Sequence, residues 1–375
     1  MKIDRVEARQ ILDTRGRPTI EVTLTAQQGS TLNPNPQGRT LLRATASVPS
    51  GKSTGSHEEV ELRDADGSVT NEVKNENTEI ARALEARDFN SPDELDDFLI
   101  ALDGTSNKSR LGANEILSVS IAAQRLFALE ESAPLWKIIA NRAGTTPSAP
   151  ALFVNVMNGG VHANFKLPFQ EYILVVEGKT SEVLPVAQEA FAKLGERLGN
   201  VPMGDEGGYA PTFDTLEQPF EILAELVKEF PNTSIAIDAA ASELYRDGAY
   251  HLLGKSYSAE ELTTIYESIV NKYPMHSIED PFDEESSNDF TDITAKLGEK
   301  ILIVGDDFTC TNPALIANAV KNKAINAVLI KPNQIGTVRE AIAAVQVTYA
   351  AGWKTIASHR SGETDDTFIA DFAYG

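Results

Sequence analysis

The sequence predicts an α/β protein in which a parallel α/β barrel is preceded by a smaller α+β unit. Three observations carry that prediction. Beyond residue 150, short apolar runs alternate with helical patterns at residues 220–230, 259–272 and 338–351, the rhythm of βα units. Five of the short runs close on a residue suited to chemistry: Ile235-Ala-Ile-Asp238, His276-Ser-Ile-Glu279, Ile301-Leu-Ile-Val-Gly-Asp306, Ala327-Val-Leu-Ile-Lys331 and Thr355-Ile-Ala-Ser-His359. Reactive groups at strand carboxyl ends are how parallel barrels build a site. The chain's 375 residues also exceed the roughly 250 that a barrel alone takes, leaving room for a second unit. A doubly wound open sheet is the alternative, since its ligands also sit at strand carboxyl ends.

In chain order, residues 19–24 alternate with period two and read as a half-buried strand. Asn33-Pro34-Asn35-Pro36-Gln37-Gly38 is dense turn chemistry, joining that strand to another over residues 41–48. Ser91-Pro92-Asp93-Glu94 reads as a helix start, with Ser91 as N-cap, Pro92 in the first helical position and Glu94 placed to complete a capping box. Residues 113–129 carry apolar positions at helical spacing. Residues 143–150, rich in Gly, Thr, Ser and Pro, break every pattern and mark the boundary between an N-terminal unit over 1–142 and a barrel over 150–375.

Side-chain parity sharpens the barrel reading. Asp238 shares its strand face with Ala236, Glu279 with Ser277, Lys331 with Ala327 and Leu329, and His359 with Thr355 and Ala357. Ile235, Ile237, Ile278, Val328, Ile330 and Ile356 fall on the opposite face, suited to packing against an outer ring of helices. Asp306 departs, with Leu302 and Val304 beneath it.

Composition excludes several classes of function. The 55 acidic against 33 basic residues give a net charge of −22, so attraction to a phosphate backbone is unavailable and nucleic acid is not an expected partner. The single cysteine, Cys310, rules out an intrachain disulfide and a Cys-based zinc site. No apolar run is long enough to span a bilayer, so no membrane association is expected and a cytoplasmic location is.

Asp238, Glu279 and Asp306, brought together from successive strands, would repel strongly unless a divalent cation sat among them, and oxygen-only ligation favours Mg²⁺. Lys331 ends a wholly apolar strand, where burial lowers the pKa of an amine and makes it a base; a salt bridge to Asp306 or Asp307 is the alternative. Gly204-Asp205-Glu206-Gly207-Gly208 sets two acids in a flexible turn, with Glu206 able to approach a ligand as a proton donor. Ser358-His359-Arg360-Ser361-Gly362 offers a guanidinium, hydroxyls and amides where a helix would begin, which suits a phosphate. Asn158-Gly159-Gly160-Val161-His162 and Gln170-Glu171 add a loop histidine and another acid. Gly51-Lys52-Ser53-Thr54 imitates the end of a P-loop, but Ala46 stands where the motif needs glycine.

Taken together, these segments closely resemble the enolase family, the phosphopyruvate hydratases. Carrying the resemblance are residues 8–16 (ARQILDTRG), 48–55 (VPSGKSTG), 158–163 (NGGVHA), Gln170-Glu171, 204–208 (GDEGG), 238–243 (DAAASE), Ile278-Glu279-Asp280-Pro281, Gly305-Asp306-Asp307, Leu329-Ile330-Lys331 and 358–364 (SHRSGET), all in the family's order. The resemblance implies an enolase-type barrel whose first strands depart from strict βα alternation, a homodimer, and the reversible conversion of 2-phosphoglycerate to phosphoenolpyruvate. It implies two Mg²⁺ ions, the first held by Asp238, Glu279 and Asp306, the second arriving with substrate and helped by Ser53. It casts Lys331 as the base at carbon 2, Glu206, supported by Glu171, as the acid at the 3-hydroxyl, Arg360 and Ser361 as phosphate ligands, and His162 and His359 as lining. Lys52 stands where the family usually has alanine, and Arg17 where it has asparagine. The family pattern also continues past Gly375 through a last barrel strand with a second lysine, so the barrel is expected to be incomplete at that end. The alternative is a catalytically impaired relative with a binding or structural role.

Overall fold

In a computed structural model, residues 1–27, 41–52, 54–85, 87–163 and 167–375 are described. The turn read at 33–38 and the candidate ligand Ser53 lie outside them.

The chain opens with an antiparallel sheet of β1 (Lys2–Leu12), β2 (Pro18–Gln27) and β3 (Leu41–Ser47), in the order β1-β2-β3. Inward positions Ile20, Val22, Leu24, Ala44 and Ala46 are buried, as period-two alternation requires. They form one face of the core beneath helix Ala113–Glu130, which is itself buried along most of its length. Helix Pro92–Asp103 begins as its sequence dictates, with the Ser91 hydroxyl accepting the Glu94 N–H at 3.1 Å. The return bond differs from a capping box, because the Glu94 carboxylate accepts the N–H of Asn90 at 2.8 Å rather than that of Ser91.

The remaining strands include a seven-stranded sheet in the order β13-β12-β11-β10-β6-β5-β4, built from β4 (Leu152–Asn158), β5 (Glu171–Val176), β6 (Thr233–Asp238), β10 (Met275–Glu279), β11 (Leu302–Gly305), β12 (Ala327–Ile330) and β13 (Lys354–Ala357). From β6 to β13 the pairs are parallel, whereas β4–β5 and β5–β6 are antiparallel, the departure from βα alternation that the resemblance implies. The sheet is curled, with helices Ala259–Lys272, Ser287–Leu297, Pro313–Asn322 and Val338–Ala350 linking its parallel strands. Among the described residues, β4 and β13 are its edges.

Parity holds for most strands. Ile235, Ile237, Ile278, Val328 and Ile330 belong to the main core with the helices, while Val304, Ala327 and Leu329 cluster on the inner face with Leu302. Strand β13 corrects the reading. Its register pairs Leu329 with Ile356 and Ile330 with Ala357, and parallel partners share a face, so Ile356 points inward and Ala357 outward. The chain leaves the strand at Ala357, and strict alternation no longer applies to His359.

A three-stranded sheet of β7 (Tyr245–Arg246), β8 (Ala249–Leu252) and β9 (Lys255–Tyr257) follows β6 and was not anticipated. Both of its turns are built on consecutive positive φ values, Asp247 with Gly248 and Leu253 with Gly254. This is the two-residue hairpin pattern that Asp-Gly signals in sequence.

The first sheet's helices also brace the second. Helix Val338–Ala350 is capped locally by the Thr337 hydroxyl, which accepts the Glu340 N–H at 3.2 Å, and its first two N–H groups are taken from across the molecule: the Asp96 carboxylate accepts that of Arg339 and the Ser120 hydroxyl that of Val338, each at 3.0 Å. Burial pushes the Asp96 pKa up to about 7 against the pull of Ser120 and Arg142. The folded state therefore holds a proton that the unfolded chain releases near its ordinary pKa of 3.8, so this contribution to stability is full below that value and declines progressively until pH has risen through about 7. Asp96→Asn should raise the melting temperature more at pH 8 than at pH 5, which thermal melts at the two values would check.

Candidate active site

Three carboxylates form a row across the middle of the sheet. Glu171 on β5 is directly paired with Asp238 on β6, and Asp238 in turn with Glu279 on β10, so all three project from the same level of neighbouring strands. Asp306 follows β11 and Lys331 follows β12. A cavity of about 1590 Å³ opens onto this row, reached also by His162, Glu206, Lys331, His359, Arg360 and Ser361.

The acids are held in place by polar neighbours. Asp238 accepts hydrogen bonds from Gln170 Nε2 at 3.0 Å and the Ala240 N–H at 2.9 Å. Burial, then Asp306, raises its pKa to about 7. Burial with Asp238 and Asp306 nearby pushes Glu279 well above the usual carboxylate range. Asp306 receives Gln334 Nε2 at 2.8 Å and the Lys331 ammonium. The salt bridge considered for Lys331 is therefore present, and it reverses the expected shift: burial lowers the lysine's pKa, but Asp306, Glu279 and Asp307 outweigh it and raise the value.

A tighter group of oxygens, from Asp280, Asp306 and Asp307, lies beside the row. The Asp280 carboxylate is already committed to main-chain donors, the N–H of Asp306 at 2.9 Å and of Asp307 at 2.7 Å. Its role is to shape the turn after β11.

Glu206 faces the row from the other side. Its Oε2 accepts Asn155 Nδ2 at 2.9 Å and Asn158 Nδ2 at 3.4 Å, and its Oε1 lies 3.6 Å from His162 Nε2. The turn that carries it packs directly on Asn158: a Cβ at Gly204 would meet that side chain at 2.4 Å, so only glycine allows the approach. Glu171 and Glu206 share a hydrogen bond. Burial and Glu206 raise the Glu171 pKa well above the usual range, while the bond from Glu171, with His162 and His359 nearby, brings Glu206 below it despite burial.

His162 is buried in the short helix Gly160–Ala163 and burial lowers its pKa; among the described residues its Nδ1 has no hydrogen-bond partner. Arg360 is buried and grips Glu58 through two bonds of 2.9 and 3.0 Å, with Asn333 Oδ1 at 2.9 Å. Ser361 Oγ accepts Arg15 Nη1 at 3.1 Å. Residues 358–361 are irregular, and the next helix begins only at Phe368, so the anticipated helix start is absent and any phosphate site there rests on side chains and local amides.

Sequence reasoning missed Asn155, Asn158 and Gln334 as supports, and Glu58 as the partner of Arg360. Two asparagines within one strand were a readable signal, because asparagine is depleted from strands. Glu58 gave none, since the contact joins residues 302 positions apart.

Fold and site define an α/β-barrel protein with acids, a lysine and histidines gathered at strand carboxyl ends. Residues 3–139 match the family model described as enolase, N-terminal domain, and residues 147–375 the one described as enolase, C-terminal TIM barrel domain. An enolase of Methanopyrus kandleri is 41% identical over 392 aligned positions, covering 99% of this chain and 88% of that protein. The chain belongs to the enolase family.

Proposed function

We propose that this chain catalyses the reversible, Mg²⁺-dependent dehydration of 2-phosphoglycerate to phosphoenolpyruvate, acting in the cytoplasm as a homodimer. One observation carries the reading: a carboxylate row lies between a lysine and a glutamate that reach one cavity from opposite sides. Family membership and the enolase relative support it.

Asp238, Glu279 and Asp306 fit a magnesium ion by their donor chemistry, being oxygen-only and buried. They would hold the first ion, with Ser53 a candidate for the second, and the bound charge would stabilise negative charge developing on the substrate carboxylate. A lysine base with Mg²⁺ is the established pattern of enolase-superfamily sites.

The protein's own groups divide the proton work. Lys331 takes the proton from carbon 2, and Glu206 gives one to the departing 3-hydroxyl. Asp306 keeps the Lys331 ammonium charged; neutralising the Asp306 charge would release that hold and let burial lower the amine's pKa. Glu171, hydrogen-bonded to Glu206, supports it as the acid. Arg360 and Ser361 hold the phosphate, and His162 and His359 line the cavity. The test is formation of phosphoenolpyruvate from 2-phosphoglycerate, followed by its ultraviolet absorbance. Mg²⁺-dependent turnover that a chelator stops supports the reading, and absence of turnover with saturating Mg²⁺ contradicts it.

A further inference from the structure

Lys52 sits where three chain segments meet. Its own segment is rooted two residues earlier, where Ser50 and Gly362 exchange main-chain hydrogen bonds of 2.9 and 3.0 Å and Arg15 Nη2 donates to Ser50 Oγ at 2.8 Å. From that root the Lys52 ammonium reaches the two turns that carry His162 and Glu206. It donates to the Val161 carbonyl at 3.2 Å and pairs with the Asp205 carboxylate.

Those two acceptors immediately precede His162 and Glu206. The two segments already touch, since the Asp205 N–H donates to the His162 carbonyl at 3.2 Å. Lys52 therefore closes a ring: lysine to Val161, His162 to Asp205, Asp205 back to lysine. The Glu206 turn is closed by its own main-chain bonds, from the Gly204 N–H to the Gly208 carbonyl at 2.8 Å and from the Gly207 N–H to the Gly204 carbonyl at 3.1 Å, and the Gly208 N–H donates to Asn158 Oδ1 at 2.9 Å. The turn contains three glycines, and Gly207 adopts a φ of +81°. Asn155 and Asn158 fix the Glu206 carboxylate and Asn158 also holds Gly208, so Lys52 supplies the side-chain tie on the Asp205 side of the turn.

We infer that Lys52 is a positioning residue, an ammonium clamp that ties the segment after Ser50 to the Val161–His162 and Asp205–Glu206 turns and so fixes Glu206 for proton transfer. The inference rests on the function proposed above. It assigns Lys52 no contact with substrate. The Asp205 carboxyl, held below its usual pKa first by its hydrogen bond to Lys52, is ionised as the clamp requires. Both side chains are partly exposed, 27% for Lys52 and 45% for Asp205, so losing the pair leaves global stability nearly unchanged. A small misplacement of a reacting group nevertheless costs rate.

The test compares Lys52→Met, Asp205→Asn, their double variant and Lys52→Arg in the full chain, by steady-state kinetics with 2-phosphoglycerate and by hydrogen exchange of the segment bearing the Asp205 amide. Each single variant should lower kcat about tenfold while KM changes by less than about threefold, because orientation rather than binding is lost. The double variant should be no worse than either single one, Lys52→Arg should restore most of kcat, and exchange at Asp205 should quicken in both single variants. A rise in KM with Lys52→Met alone, with Asp205→Asn unaffected, would make Lys52 a substrate ligand and overturn the inference. Unchanged kcat and unchanged exchange in both would overturn it too. If the parent chain shows no turnover, the proposed function fails, while the exchange measurement still decides whether the clamp exists.

Discussion

Replacing Lys331 with alanine should lower kcat by about a thousandfold or more, at the upper end of what a single general base contributes. Lys331 is placed after β12 on an inner face otherwise filled by Ala327 and Leu329, so no neighbouring amine can take its role from the same strand. The variant also strips Asp306 of its charged partner. That leaves the acid row more negative, so Mg²⁺ binding should be retained or strengthened while turnover collapses. This opposite movement separates loss of a base from general damage to the site. Steady-state kinetics beside a calorimetric Mg²⁺ titration would check it, and a fall in both quantities together would point to a misfolded cavity.

Glu279→Ala should act in the reverse sense. Glu279, on β10 between the strands that lead to Asp238 and Asp306, is the middle member of the three proposed ligands, next to Asp238 in register and buried. Its removal takes away one of three carboxylates, and Mg²⁺ affinity should weaken by roughly a hundredfold or more. Repulsion among the remaining acids is relieved at the same time, so the melting temperature in the absence of metal should rise or hold. Equal Mg²⁺ affinity in Glu279→Ala and the parent would remove Glu279 from the proposed metal site.

The barrel strands were legible because their chemistry is periodic. Each run of branched apolar residues had one face for the helices, and the polar residue at its carboxyl end had only the sheet's end to occupy, which is how Asp238, Glu279, Asp306 and Lys331 could be read as neighbours. Where the backbone stops being periodic, legibility stopped as well. Strand β13 was assigned the wrong parity because alternation was counted back from His359, which lies outside the strand; register against β12 places Ile356 inward. The hairpins at Asp247-Gly248 and Leu253-Gly254 were lost among the signals for larger elements. The charge state of Lys331 could not be read from its strand, because it depends on Asp306, which approaches from a separate strand end. The contacts of Glu58 and Lys52 join distant segments, so their partners could not be read from sequence, although Lys52 stood out as a departure from the family pattern.

The central claim is that Lys331 and Glu206 act from opposite sides of one cavity in separate proton transfers. The most direct measurement follows 2-phosphoglycerate in deuterated solvent by NMR, recording exchange at carbon 2 alongside formation of phosphoenolpyruvate for the parent, Lys331→Ala and Glu206→Gln. The account predicts that Lys331→Ala loses both signals, whereas Glu206→Gln still incorporates deuterium at carbon 2 and loses net dehydration. Persistent exchange in Lys331→Ala, or equal loss of exchange in the two variants, would contradict it.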